Sequence, residues 1–142
     1  MLLPEQVRKA LVAIARAALP FEACGYVTGT STTSTDLVIE DVHRVVNELR
    51  SPVAFALEGQ SMIDTEAHIE SLDQSIVGIF HSHPNSPPIP SERDRLDAVR
   101  YDPGGDFVHV IVSMQGFVPR VQAWRFADGR AHAVALVDGP SQ

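Results

Sequence analysis

The residues best equipped for chemistry lie in one stretch: His81-Ser82-His83-Pro84, followed by Ser91 and Asp94. Residues two apart on an extended chain point to the same side, so both imidazoles can reach one metal ion. The pair closes an apolar run, Ile76-Val77-Gly78-Ile79-Phe80, which reads as a central strand buried on both faces. Ends of strands in open sheets that contain parallel strands commonly form ligand crevices. Asp94 falls in the first turn of a helix that Ser91 would cap. Pro84, Pro87, Pro88 and Pro90 stiffen the connection by fixing φ. His81, His83 and Asp94 are therefore the candidate metal ligands, and three such ligands leave a tetrahedral zinc one open corner. A zinc of that kind lowers the pKa of water from about 15.7 to roughly 7, which makes a nucleophile available near neutral pH.

A His-x-His pair alone would serve as well in a structural or surface role, and Asp94 at a capped helix start favours the metal. Asp97 competes for the third position, but it can instead pair with Arg93 at i,i+4. Hydrolysis also needs a base. Glu22, at the start of the first expected strand, is the best candidate, although its spacing alone suits a solvent-facing carboxylate. Ser91 has a firm role as a cap, and its hydroxyl could also donate to an oxyanion. Zinc is preferred over other divalent metals on ligand type.

Positioning these groups requires a mixed sheet with helices on it. Val7, Ala10, Leu11, Ile14 and Ala18 predict an amphipathic helix over 4–19, with Pro4 in its first turn and Pro20 ending it. Strands are expected at 21–30 and 37–46, around a Ser/Thr/Asp turn at 31–36. A short strand at 53–57 and a helix at 59–72 precede the central strand 76–80. A helix at 92–100 follows, then strands at 107–113, 118–126 and 131–137, the first two close enough for a hairpin. Gly139 to Gln142 should fray. The order implies an α/β class with helices flanking a mixed sheet, and a single domain over 1–142.

Composition agrees. The chain has 142 residues, 44% hydrophobic and 20% charged, as suits one globular core. A net charge of -7 argues against nucleic acid as the main partner. One cysteine, Cys24, excludes an internal disulfide, a zinc ribbon and a paired-cysteine zinc site. It reads as a small buried hydrophobe. The apolar run Leu11–Leu19 is broken by Arg16 and too short for a bilayer, and no basic leader precedes it, so a cytoplasmic location is expected. There is no His-Glu-x-x-His and no glycine-rich phosphate loop. His43, His68, His109 and His132 are isolated and read as structural or surface residues. Trp124 and Phe126 read as packing residues.

Glu22, then His81-Ser82-His83-Pro84, six residues, and Ser91-x-x-Asp94 resemble the signature of the JAMM (MPN-plus) zinc metalloprotease family. Pro20-Phe21-Glu22-Ala23-Cys24-Gly25, Asn47, the Pro52–Phe55 segment and the strand ending in Trp124 look like its compact bacterial members. The resemblance implies a cytidine deaminase-like fold. It implies Zn²⁺ on His81, His83 and Asp94, with Glu22 as general base and Ser91 stabilising the oxyanion. The implied substrate is a ubiquitin-like or sulfur-carrier protein, cleaved just after its C-terminal Gly-Gly as a peptidase or isopeptidase. A tail without side chains can pair with a sheet edge, here expected near 47–58. The five acids from Glu58 to Asp73 read as a solvated helix face, with a carrier-docking surface as the sharper alternative. The rivals are a non-catalytic scaffold of the same fold and a zinc hydrolase of a small amide.

Overall fold

The computed structural model describes residues 1–31 and 36–138. The turn expected at 31–36, apart from its two ends, and the tail at 139–142 lie outside the described residues.

After a short strand β1 (Leu2–Leu3), helix α1 runs from Glu5 to Ala18 and buries Val7, Leu11 and Ala15 at helical spacing. Pro4 sits at its N-cap, just ahead of the first turn. The next strand, β2 (Cys24–Ser31), pairs antiparallel with β3 (Leu37–Val45). Helix α2 (Gly59–Ser71) starts on a Glu58 side chain that accepts from the Gln60 and Ser61 amides. Strand β4 (Ile76–His83), helix α3 (Glu92–Tyr101) and strand β5 (Val108–Ser113) form a parallel crossover unit. The chain then turns back antiparallel through β6 (Arg120–Ala127) and β7 (Arg130–Val134), and ends in β8 (Val137–Asp138).

The strands form one sheet in the order β7-β6-β5-β4-β2-β3-β1-β8. Only Ala135 and Leu136 separate β7 at one edge from β8 at the other, so the sheet curls until its edges meet. The Met1 amino group donates to the Ala135 carbonyl at 2.9 Å, and the Val137 N–H donates to the Met1 carbonyl at 2.9 Å. The single strand expected at 131–137 is thus two strands on opposite edges, because the chain leaves one edge to complete the other.

Alternation along each strand separates two apolar clusters. Val7, Leu11 and Ala15 of α1 pack with Val27, Phe80, Val110 and Val112 on one face of the sheet. On the other face Cys24, Tyr26 and Ile79 pack with Phe55, Leu57 and Ile69, against Met62 and Tyr101. His81 and His83 share the parity of Ile79, so they point to the second face, where α3 lies.

Three further sequence expectations need correction. Strand β2 begins at Cys24, so Glu22 precedes it instead of starting it. The central strand runs through the histidines to His83. Residues 53–57 form no strand and make only an isolated bridge, Asn47 to Leu57. A side chain explains the last difference. Asn47 accepts the Ala56 N–H and donates to the Ala54 carbonyl, taking bonds that a neighbouring strand would otherwise make. The Leu57 N–H goes to the Tyr101 hydroxyl at 3.1 Å.

Candidate metal centre

The sheet register assembles the site. Antiparallel pairing sets Cys24 opposite His81, so the residues two steps on, Glu22 and His83, meet at the same end of the strand pair. Gly25 makes this pairing possible: a Cβ there would lie 2.1 Å from the His43 carbonyl oxygen and 2.6 Å from Phe80 Cε1. Ser82, between the histidines, faces the other way. Its hydroxyl accepts the Ala23 N–H at 2.7 Å, while its own N–H donates to the Ala23 carbonyl at 3.0 Å. The segment that carries Glu22 is thereby clamped to the strand that carries both imidazoles.

Asp94 is placed by a capping box. The Ser91 hydroxyl accepts the Asp94 N–H at 3.1 Å, and Asp94 Oδ2 accepts the Ser91 N–H at 2.9 Å. The same Oδ2 lies 3.2 Å from His81 Nε2 and 3.0 Å from His83 Nε2, and the two Nε2 atoms are 3.1 Å apart. Ligands about 2.0–2.2 Å from a tetrahedral zinc lie about 3.3–3.5 Å from one another, so this triangle needs only a slight expansion to hold one ion. All three side chains are buried. His83 Nδ1–H donates to the Pro87 carbonyl at 2.7 Å. In a neutral ring that bond keeps the proton on Nδ1 and leaves the Nε2 lone pair free.

The electrostatics also suit a cation. Burial would raise the Asp94 carboxyl, but hydrogen bonds from His81 and His83 hold it well below the usual carboxylate range. Burial would lower His83, but Asp94 and the Pro87 carbonyl raise it above the ordinary imidazole value. Positive charge is therefore favoured at this point.

Glu22, His83 and Ser91 line one groove of about 650 Å³, together with Leu19, Pro52 and Val53. Glu22 is buried rather than solvent-facing, and its Oε1 has no hydrogen-bond partner among the described residues. Burial pushes its carboxyl up to about 8, with Asp94 and Asp97 adding to the rise and His83 opposing it. A carboxyl near neutrality can both take and return a proton. Asp97 does not join the triangle, and its Oδ2 is 3.6 Å from Arg93 Nε.

A sequence comparison decides the family. Residues 4–127 match the family described as prokaryotic homologs of the JAB domain. The chain belongs to this family. It is also similar to a desampylase of Haloferax volcanii, 37% identical over 97 residues, and to one of Pyrococcus furiosus, 30% identical over 94 residues. These alignments cover 68% and 66% of this chain, and just under two thirds of each relative's length, 66% and 63%. The solution structure of a Desulfitobacterium hafniense protein shares the fold, with a TM-score of 0.83 over 98% of this chain and 93% of that one, at 23% identity. A Salinibacter ruber protein superposes with a TM-score of 0.67 over 97% of this chain and 90% of that one, at 28% identity.

Around this JAB centre the structure adds residues that motif reading passed over. Ser82 is the clamp described above. Trp124 does more than pack: its Nε1–H donates to the Pro88 carbonyl at 3.0 Å and ties down the proline-rich loop. Asn47 gathers the 48–56 loop. No motif marks these roles: Ser82 and Trp124 depend on partners distant in sequence, and the Asn47 bonds depend on the path of the loop. Cys24 is fully buried, with Sγ 3.4 Å from the Val45 carbonyl. His109 is buried against Asp102 at 2.9 Å, His43 contacts Gln74 at 2.8 Å, and His68 and His132 are exposed. Asp64, Glu66, Glu70 and Asp73 of the α2 region are exposed, as a solvated face requires. No helix among the described residues is long and apolar enough to cross a membrane.

Proposed function

We propose that this JAB-family chain is a single-domain, zinc-dependent peptidase or isopeptidase acting on a ubiquitin-like or sulfur-carrier protein at the bond after its C-terminal Gly-Gly. The observation that carries the reading is the buried triangle of His81 Nε2, His83 Nε2 and Asp94 Oδ2, with His83 and Glu22 lining one groove and Glu22 Oε1 without a hydrogen-bond partner among the described residues. The name desampylase borne by two relatives supports a small protein as substrate.

His81, His83 and Asp94 would hold the zinc. When bound, zinc supplies Lewis acidity, lowering the pKa of water and polarising the scissile carbonyl. Glu22 takes the proton from the attacking water and delivers it to the leaving amine. Ser91 keeps its hydroxyl proton while its oxygen caps the helix, so it donates to the developing oxyanion. Leu19, Pro52 and Val53 wall the groove in which the carrier's tail would lie beside His83 and Glu22. Pro52 and Val53 serve as that wall in place of a regular sheet edge. A cytoplasmic location is part of the same proposal.

Incubation with a carrier–cysteine conjugate tests the proposal. Release of cysteine, abolished by a chelator and restored by zinc, is the expected outcome. Carrier binding without turnover would leave a scaffold. Hydrolysis of small amides with the conjugate untouched would leave an unrelated zinc hydrolase.

A further inference from the structure

Asp97 takes no part in the chemistry above, yet its position is costly. The residue is 9% exposed, and its Oδ2 is buried with no hydrogen-bond partner among the described residues. Arg93 Nε at 3.6 Å is too far for a hydrogen bond. A buried carboxylate without a hydrogen bond destabilises the fold, so the arrangement calls for a use.

The use is visible in what surrounds it. Asp97 lines a small cavity of about 10 Å³ with His81, Asp94, Phe55, Tyr101 and His109. That is about the space one water needs, and a water there also needs polar partners. His109 Nε2 is bonded to Asp102 Oδ2 at 2.9 Å, whereas the Tyr101 hydroxyl, which accepts the Leu57 N–H, keeps its own proton free to donate to such a water. The two candidate ligand rings differ in the same respect. His83 has its second nitrogen fixed by the Pro87 carbonyl, whereas no described residue bonds His81 Nδ1. Metal-bound imidazoles nearly always donate their other N–H to a carboxylate, a carbonyl or a water.

The geometry points to Asp97 as a positioning residue that accepts the His81 Nδ1 proton through one water in this cavity. The carboxylate then fixes the tautomer that turns the His81 Nε2 lone pair toward the ion, as the Pro87 carbonyl does for His83. Phe55, stacked on His81 with ring centroids 4.8 Å apart, holds the ring plane while Asp97 sets its proton. The inference rests on the proposed zinc site, but not on any substrate or reaction.

The test measures zinc affinity by competition with a chelator, and melting of the metal-free protein, for the parent, Asp97→Asn and Asp97→Leu. Loss of such an outer partner typically weakens metal binding by about 10–100-fold. The expected order of affinity is parent, then Asn, which retains an acceptor oxygen, then Leu, with Leu at least about 10-fold weaker. The metal-free variants should melt at or above the parent's temperature, because the half-exposed Arg93 ion pair at 3.6 Å offsets little of the cost of burying an Asp97 oxygen without a hydrogen bond. Affinity opposed to stability is a signature that a merely structural role would not produce. Zinc affinity within about twofold of the parent in both variants, or lowered melting in both, would overturn the assignment. A parent that binds no zinc would remove this inference together with the proposed function, whereas a zinc-binding parent without hydrolytic activity would leave this inference standing.

Discussion

The Asn47 side-chain amide donates to the backbone carbonyl of Glu22 at 3.0 Å. The same amide reaches the Ala54 carbonyl at 3.2 Å, and its oxygen accepts from Leu49 and Ala56, each at 3.0 Å. One side chain thus joins the candidate base to the loop that walls the groove. The Glu22 N–H adds a second tie, donating to the Ser51 carbonyl at 2.8 Å.

Asn47→Ala removes all of these side-chain bonds. At about 1 kcal/mol net for each bond, the fold should lose about 2–4 kcal/mol. Urea melts would measure that loss. Zinc content should be unchanged, since no ligand is touched, while hydrolysis falls at least tenfold because the base and the groove wall are no longer held together. Unchanged stability would show that water replaces the asparagine at no cost.

Glu22→Gln separates the base from the ligands. Hydrolysis should fall by about 100-fold or more, the usual contribution of a general base, while zinc remains bound. Loss of the metal in this variant would instead place Glu22 among the ligands.

The Glu22 carboxyl also predicts a pH dependence in the metal-free protein. Its folded value is raised from 4.5 to about 8 by burial. The folded state therefore holds a proton that the unfolded chain releases, and stability from this group is full below pH 4.5 and lost as pH rises toward 8. Glu22→Gln should remove that slope, leaving the metal-free variant more stable than the parent at pH 8 and similar at pH 4. Parallel stability curves would contradict the assignment.

Gly25→Ala should damage the site from outside it. The added carbon would meet backbone at His43, which cannot swing aside as a flexible side chain could. Displacement of β2 would part Cys24 from His81 and carry Glu22 away. A loss above about 2 kcal/mol is expected, with reduced zinc affinity.

Cys24 should be inert. Burial pushes its thiol up to about 12, with Glu22 adding to the rise. Iodoacetamide at pH 8 should label the native protein slowly and the denatured protein fully. Fast labelling of the native chain would mean that the strand pair beside the site opens readily.

Much of the site was legible in the residues themselves. His81 and His83 share a face because a strand has period two, and Asp94 is fixed by a cap that Ser91 supplies three residues earlier. These are local rules. Glu22 was not legible in the same way. By spacing it reads as a surface carboxylate, and only the family resemblance suggested a catalytic role. The strand expected at 53–57 failed for a related reason: Asn47, distant from most of that segment, captures the backbone groups on which a strand depends. The last expected strand divides because Ala135 and Leu136 carry the chain from β7 at one edge to β8 beside β1 at the other, where Met1 bonds both Ala135 and Val137.

The sequence alone therefore determined the elements near the metal site, their order and the donor chemistry, since periodicity, capping and proline stiffness act within a few residues. Tertiary structure decided which groups meet. The antiparallel register of β2 on β4 brings a buried glutamate to the histidines, and Asp97 shares a cavity with His81 only because α3 packs against that face. Such relations depend on pairings between residues tens of positions apart, and no local pattern encodes them.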